Sequence, residues 1–426
     1  MNAPYWIRFC SKKRTGSKII NILNKKNVFD VAVRFLVQHI GRTKKAFFVR
    51  INRNEPIIIP ALLPKKTGDK IYTMSVMKRL SNDPILKPSD IKPSRSDLEV
   101  VGVFNPAACM VGDEIVLILR VAEAAVPETG WLKVPVVTHQ DGRAAITVKA
   151  WRTDALADAD LSDARHFILD GTRYLSSLSH FRVARSRDGL RFEVASEPFM
   201  IPEMPTEAYG IEDPRAVWID GRCYITCTAV FEDGFGVLLS STGDLNTVER
   251  HGFIFPPENK NCCLFPEKVG NKYVALHRPI VKDFGKPCVW YAESPDLLHW
   301  GNSSCLLHPS GGYQGRKIGS GPGPIKTDDG WLYLYHGVDD NETYRLFLAL
   351  LDADDPRRVL FNRTIPLLEP EMAWERGGFV PNVVFSNGWI RRQDDTVLVY
   401  YGAADTAVGV AAASLRELLD WVEESP

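Results

Sequence analysis

The stretch Pro324-Ile325-Lys326-Thr327-Asp328-Asp329-Gly330-Trp331-Leu332-Tyr333-Leu334-Tyr335-His336 decides the fold. It reads as a proline, a few residues, a tight turn at Asp329-Gly330, and an aliphatic-aromatic strand that ends on a polar side chain. Glycine supplies the backbone freedom of a hairpin turn, and the Trp-Leu-Tyr-Leu-Tyr run suits a pleated strand. The same phrase recurs four more times, over residues 106–120, 214–228, 266–278 and 381–405. Its turns are Gly112-Asp113, Asp220-Gly221 and Gly270-Asn271, and the last copy carries a longer insertion, Arg391-Arg392-Gln393-Asp394-Asp395. Each hairpin leads to a third strand and a turn-rich phrase, such as Ser294-Pro295-Asp296-Leu297-Leu298-His299-Trp300. Pro214, Pro266, Pro324 and Pro381 follow one another at 52, 58 and 57 residues, lengths that suit four-stranded blades. The 108 residues from Pro106 to Pro214 are too many for one blade. They absorb an insertion near 125–175, in which residues 151–164 are expected to be partly helical. The repeat predicts an all-β fold, a five-bladed β-propeller.

The propeller is expected to fill residues 77–426, with residues 1–76 outside it as a basic N-terminal extension. The extension holds 16 Lys and Arg against 3 Asp and Glu, a balance of +13 that the remainder cancels to a net charge of zero. Apolar spacing over residues 19–40 predicts an amphipathic helix with lysines on one face. Such a helix suits a membrane-surface or partner-binding arm. A solvated, partly disordered segment, or sequence upstream of a start at Met77, fits the same residues.

Bulk composition excludes several classes. The chain has 426 residues, 45% hydrophobic and 24% charged, as a soluble globular protein has. Zero net charge leaves no electrostatic footprint for nucleic acid. No run of about 18 apolar residues predicts a membrane span. No apolar core with a cleavage site predicts export. The eight cysteines lack CxxC spacing, and Cys262-Cys263 are adjacent, which points to reduced thiols in a cytoplasmic protein. A homo-oligomer is compatible with this composition.

The repeat also locates a site. Inner strands of a propeller line one channel, so equivalent positions gather at one end. In Gly210-Ile211-Glu212-Asp213-Pro214-Arg215, the proline forces Asp213 into extended geometry and ends pairing there, displaying Asp213 at the mouth of its strand. A loop carboxylate paired with Arg215 is the plainer reading of that motif alone. Asn105 and Phe265 hold the matching places before Pro106 and Pro266. The strand ends Arg120, His277-Arg278, His336 and Asp405 return to the same end. Their differing charges suit a polar ligand better than a structural repeat would. Asp213 and Asp405 suit sugar hydroxyls and proton transfer; Arg278, His336 and Lys260 suit an anion. No His cluster stands at ligand spacing, so no metal is expected. No Gly-rich phosphate loop opens a helix, since Gly319-Ser320-Gly321-Pro322-Gly323 lies inside a β pattern, and there is no GxSxG elbow.

The series Phe104-Asn105-Pro106, Leu119-Arg120-Val121, residues 210–215, Leu264-Phe265-Pro266-Glu267-Lys268, Leu276-His277-Arg278-Pro279, Trp331 to His336, Val380-Pro381-Asn382 and Tyr400-Tyr401-Gly402-Ala403-Ala404-Asp405 resembles glycoside hydrolase family 130. The resemblance covers roughly residues 80–420. It implies a five-bladed propeller that cleaves β-mannosides, with inorganic phosphate as co-substrate and no other cofactor. It implies that Asp213 is the general acid, acting through the 3-hydroxyl of the mannosyl unit. It implies that Asn105, Arg120 and Asp405 hold the mannosyl ring, and that Lys260, Arg278, His336 and Tyr344 surround the phosphate. The expected reaction is inverting phosphorolysis of a β-mannoside, releasing α-mannose 1-phosphate. A β-mannosidase using water and a non-catalytic glycan-binding propeller are the alternatives, with Glu212 and Glu267 as spare carboxylates. An inverting hydrolase needs a base to activate water. Phosphate is already an anion and needs only positioning, which Arg278 and His336 favour.

Overall fold

The computed structural model describes residues 76–140, 143–156, 160–163, 165–281 and 283–424, together with three strands that precede them. The chain divides into two units, Met1–Thr73 and Met74–Pro426. In the first, strand Tyr5–Ser11 pairs antiparallel with Lys18–Ile22 on one side and Phe47–Ile51 on the other. The helix expected over residues 19–40 therefore fails at its start, where the β-branched Ile19-Ile20 pair sits in a strand. The rest of that span, and the disorder expected of the extension, lie outside the described residues.

The second unit is a ring of five antiparallel sheets. Blade 1 runs outward through Leu98–Val111, Glu114–Ala125, Ser177–Ser186 and Glu193–Val194. Blade 2 is Ile211–Ile219, Arg222–Phe231, Gly234–Thr242 and Glu249–Phe255. Blade 3 is Asn259–Leu264, Tyr273–Pro279, Val289–Ser294 and Gly301–Leu307. Blade 4 is Lys317–Ser320 with Ile325–Thr327, then Gly330–Val338, Tyr344–Leu351 and Val359–Leu368. Blade 5 is Val384–Arg391, Thr396–Ala403 and Ala407–Ser414, with Lys78–Arg79 from the start of the unit as its outer strand.

Side-chain alternation explains how the ring holds together. Both faces of a blade are buried, so successive residues of one strand enter different cores. Leu332 and Leu334 join Val397 and Val399 between blades 4 and 5, while Trp331, Tyr333 and Tyr335 join Cys263 and Leu276 between blades 3 and 4. Blades 1 and 5, 1 and 2, and 2 and 3 each share a further cluster.

The insertion is β rather than partly helical. Trp131–Gln140 and Arg143–Arg152 form a hairpin, and Asp160–Asp163, His166–Leu169 and Thr172–Leu175 a small sheet. Among the described residues of the insertion, only Thr153–Ala155 makes a helical turn, of 3-10 type. Residues 143–152 alternate as Ala145-Ile146-Thr147-Val148, a period-2 pattern with a buried Ile146.

Proline does not mark the same place in every blade. The shared feature is a β-bulge, at Phe104/Ala107, Glu212/Arg215, Lys260/Cys263 and Phe385/Gly388 of the inner strands. Pro106 and Pro214 fill the second bulge position, where no ladder N–H is required. Asn105, Asp213 and Asn261 precede at φ 48, 54 and 54, a left-handed conformation that Asn and Asp tolerate best. Asn261, and not Phe265, is thus the blade 3 counterpart of Asp213; Phe265 is a core residue beyond the strand. Asp213 also sits inside its strand rather than at the mouth, because pairing resumes at Arg215.

Candidate active site

A bulge leaves one residue unpaired and turns its side chain. At the blade 2 bulge this residue is Asp213, 7% exposed, with its carboxylate held from two sides. Asn105 Nδ2 donates to Asp213 Oδ1 at 2.9 Å, from the equivalent bulge of blade 1. Arg120 Nη1 donates to the same oxygen at 2.9 Å and its Nη2 to Glu212 Oε1 at 2.9 Å. Arg120 Nε donates to Ser179 Oγ at 3.0 Å, and the guanidinium lies 4.6 Å from the Phe104 ring centroid. Phe104 is its cross-strand partner, so ladder and stacking fix the fork together. Burial works against the Arg120 charge, yet Glu212, Asp213 and Asp405 hold its pKa above the ordinary value.

Arg215 is not the partner of the Asp213 carboxylate. Its Nη1 donates to the Asp213 main-chain oxygen at 3.0 Å, while Nε and Nη2 donate to Gly321 O and Ser320 O at 2.8 Å each. It therefore bolts blade 2 to blade 4 across the axis and leaves the carboxylate to Arg120. Burial would raise the Asp213 pKa; Arg120, Lys260 and the Asn105 amide outweigh it and hold the carboxyl below its usual range. Asp405 behaves oppositely. Burial, with Asp213 and Glu212 adding to it against Arg120, pushes its pKa up to about 7.

A cationic wall belongs to blades 3 and 4. Lys260 and Arg278 are cross-strand partners, matching Phe104 and Arg120 in blade 1. Arg278, 5% exposed, donates through Nη1 to His336 Nε2 at 3.3 Å, and Asn261 Nδ2 approaches the same nitrogen at 3.4 Å. Burial and Arg278 drive the His336 pKa well below its usual value, so the ring is neutral and Nε2 accepts. The Tyr344 ring lies 6.1 Å from that of His336. Burial lowers Lys260 as well, with Arg278 adding to it, and brings Arg278 down to about 10.

The structure brings Asn105, Arg120 and Asp213 into direct contact, and Arg278 with His336. Lys260 and Asp405 join through charge, each acting on the carboxylate–arginine group. Tyr344 couples to Arg278. Glu267 pairs instead with Lys326, away from these residues. Sequence reading missed Lys317, whose Nζ lies 5.1 Å from the Tyr344 ring centroid. Burial first, then Arg278 and Lys260, lowers its pKa to about 7. Its signal was the Lys317-Ile318-Gly319 run just before the glycine-rich stretch. Asn261 was hidden because its bulge carries no proline. A separate cavity of about 520 Å³, lined by Arg95, Ile146, Glu197 and Arg250 among others, contains none of these residues.

Comparison with known proteins gives consistent matches. A family model described as β-1,4-mannooligosaccharide phosphorylase matches residues 155–424. A β-1,2-mannobiose phosphorylase of Listeria innocua is 38% identical over 350 residues, 81% of this chain and 98% of that protein. A 1,2-β-oligomannan phosphorylase of Thermoanaerobacter is 41% identical over 58% of this chain and 81% of its own length. The solved structure of the Listeria innocua β-1,2-mannobiose phosphorylase, in complex with β-1,2-mannobiose, superposes with a TM-score of 0.74 over 82% of this chain and 99% of that one.

Proposed function

The chain belongs to glycoside hydrolase family 130, and from that premise we propose that it is an inverting phosphorylase whose preferred substrates are β-1,2-linked mannosides. Phosphorolysis of β-mannosides is the activity named for relatives that this chain matches over 98% and 81% of their length, and it is the activity of this enzyme. The β-1,2 linkage rests on the 38–41% identity to β-1,2-specific relatives, against a family description that reads β-1,4.

The observation that carries this reading is the division of the funnel: a carboxylate on Asn105 and Arg120, facing Lys260, Arg278, Lys317 and neutral His336. Phosphate placed among those cations needs no base. Arginine offers it a planar fork, and His336 Nδ1, buried and unbonded, is an N–H donor still to be used. Asp213 donates the proton to the glycosidic oxygen, by way of the mannosyl 3-hydroxyl. Asn105, Arg120 and Asp405 orient the ring. The lowered pKa of Asp213 fits this order of events. Bound phosphate cancels the positive charge of Lys260, one cause of that lowering, so the acid regains its proton as the ternary complex forms. Asp405, poised near 7 beside it, is a local proton source. The free cysteines among the described residues, six of seven of them buried, support a cytoplasmic setting; no helix among the described residues is long and apolar enough to cross a membrane.

The test is incubation with β-1,2- and β-1,4-mannobiose, each with and without phosphate. The expected result is phosphate-dependent release of α-mannose 1-phosphate, faster from the β-1,2 disaccharide. Arg278→Glu should abolish the phosphate dependence and the reverse synthesis together. Equal cleavage by the wild type without phosphate would replace this reading with a β-mannosidase.

A further inference from the structure

Cys305-Leu306-Leu307-His308 places a thiol and an imidazole three residues apart at the end of the outer strand of blade 3. Cys288 stands just before the neighbouring strand, Val289–Ser294. Strand pairing of Trp290 with Cys305 brings the two thiols together. Their sulfurs are 3.2 Å apart, and Cys305 Sγ is 3.8 Å from His308 Nδ1. All three donor atoms lie within 4.8 Å of one another. Both cysteines are free thiols. A tetrahedral zinc ion, with Zn–S of about 2.3 Å and Zn–N of about 2.0 Å, needs donor separations of roughly 3.8 Å for S–S and 3.5 Å for S–N. The observed S–S separation is about 0.6 Å shorter than the first of these, and the Cys305–His308 separation about 0.3 Å longer than the second.

We propose that Cys288, Cys305 and His308 form a binding site for a thiophilic divalent metal ion of the Zn²⁺ type, with its fourth position open. Two thiolates neutralise a divalent ion, so the loaded site carries no net charge against the half-buried blade edge. Imidazole as third donor favours a metal over simple thiol pairing. Trp290 Nε1 donates to Cys288 Sγ at 3.2 Å, which orients that sulfur. Binding one ion releases two protons, one from each thiol. The absence of a His cluster in the sequence spoke against a metal, but here two of three donors are sulfur and strand pairing supplies the third residue. Pro287, adjacent to Cys288, accepts from Ile318 N at 3.1 Å, next to Lys317. An ion at Cys288 therefore ties down the segment that supports Lys317.

The experiment titrates tag-free, reduced full-length protein with Co²⁺. Sulfur-to-cobalt charge-transfer absorbance should saturate at one equivalent and be lost in Cys288→Ser/Cys305→Ser. His308→Ala should weaken binding by at least about tenfold. Zn²⁺ should displace Co²⁺ and, in the unmutated protein, protect Cys305 from iodoacetamide as read by mass spectrometry. No charge-transfer band, a band that survives the double substitution, or Cys305 alkylated at the same rate with and without Zn²⁺ would each overturn the assignment.

Discussion

At Asp213 a single oxygen receives both Asn105 and Arg120, which leaves the other oxygen of the carboxyl without a bond from either. Asp213→Asn keeps that shape and removes the transferable proton. Phosphorolysis should fall by at least about a hundredfold with an unchanged circular dichroism spectrum, the range expected for a lost general acid. Asp405 gives a second test, in stability. Its folded-state pKa, near 7, lies above the unfolded value of about 3.9. The folded protein therefore holds a proton that the unfolded chain has released. This contribution to stability is full below about pH 4, is lost as pH rises to about 7, and is flat beyond. Asp405→Asn should remove that part of the slope, so its Tm relative to wild type should be higher at pH 8 than at pH 4. A Tm difference that does not change with pH would show that Asp405 titrates normally. Asp213, Arg120 and Asp405 were legible in the sequence because motif and strand end name them directly. Their pairing was not, because choosing Arg120 over the adjacent Arg215 depends on a cross-blade contact.

The bulge is the element that builds the site, and two glycines beside it show how closely it is packed. A Cβ on Gly402 would come 1.9 Å from Asn105 Oδ1 and 2.6 Å from its backbone nitrogen. A Cβ on Gly319 would come 2.6 Å from Asn261 Nδ2 and 2.8 Å from His336 Nε2. Gly402→Ala should displace Asn105, lowering kcat and raising KM for the mannoside. Gly319→Ala should instead raise KM for phosphate and leave the mannoside KM near wild type. Steady-state kinetics with each substrate varied separately would distinguish them, and equal effects on both would show that acid and anion halves are not separately built. Each change also costs about 1–3 kcal/mol of overpacking, to be checked by thermal melts. Strands and turns were legible here from period-2 runs and Asp-Gly pairs. The bulges were not, because a one-residue register shift has no composition of its own. Pro106 and Pro214 betray two of them, whereas Asn261-Cys262 and Ser386-Asn387 look like ordinary strand.

The ring as a whole closes through residues that sequence reading had placed only at a domain boundary. Met77 packs into the core between blades 4 and 5, and Lys78–Arg79 pairs with Ala412 and Ala411. Arg79 Nε and Nη2 donate to fully buried Glu375 at 2.8 and 2.9 Å, and Tyr401 Oη donates to the same carboxylate at 2.8 Å. Arg79→Ala strands that buried charge and should destabilise the protein by about 3 kcal/mol in urea unfolding. A chain beginning at Met77 should retain activity and Tm, while one beginning at Ser81 should lose several degrees. Equal stability of the two would show that the short strand is dispensable. Blade number was legible from the repeat, but the closing strand was not, since two residues carry no periodicity. This closure also fixes an order in time. The ribosome releases Lys78–Arg79 before any blade exists, and its partner Ala407–Ser414 only after the other four blades. The first strand of the ring to appear must wait, exposed, for the last blade. The circle can be sealed only after Ser414 has been made, so a translation product interrupted before that point is an open crescent with two unpaired edges for a chaperone to guard.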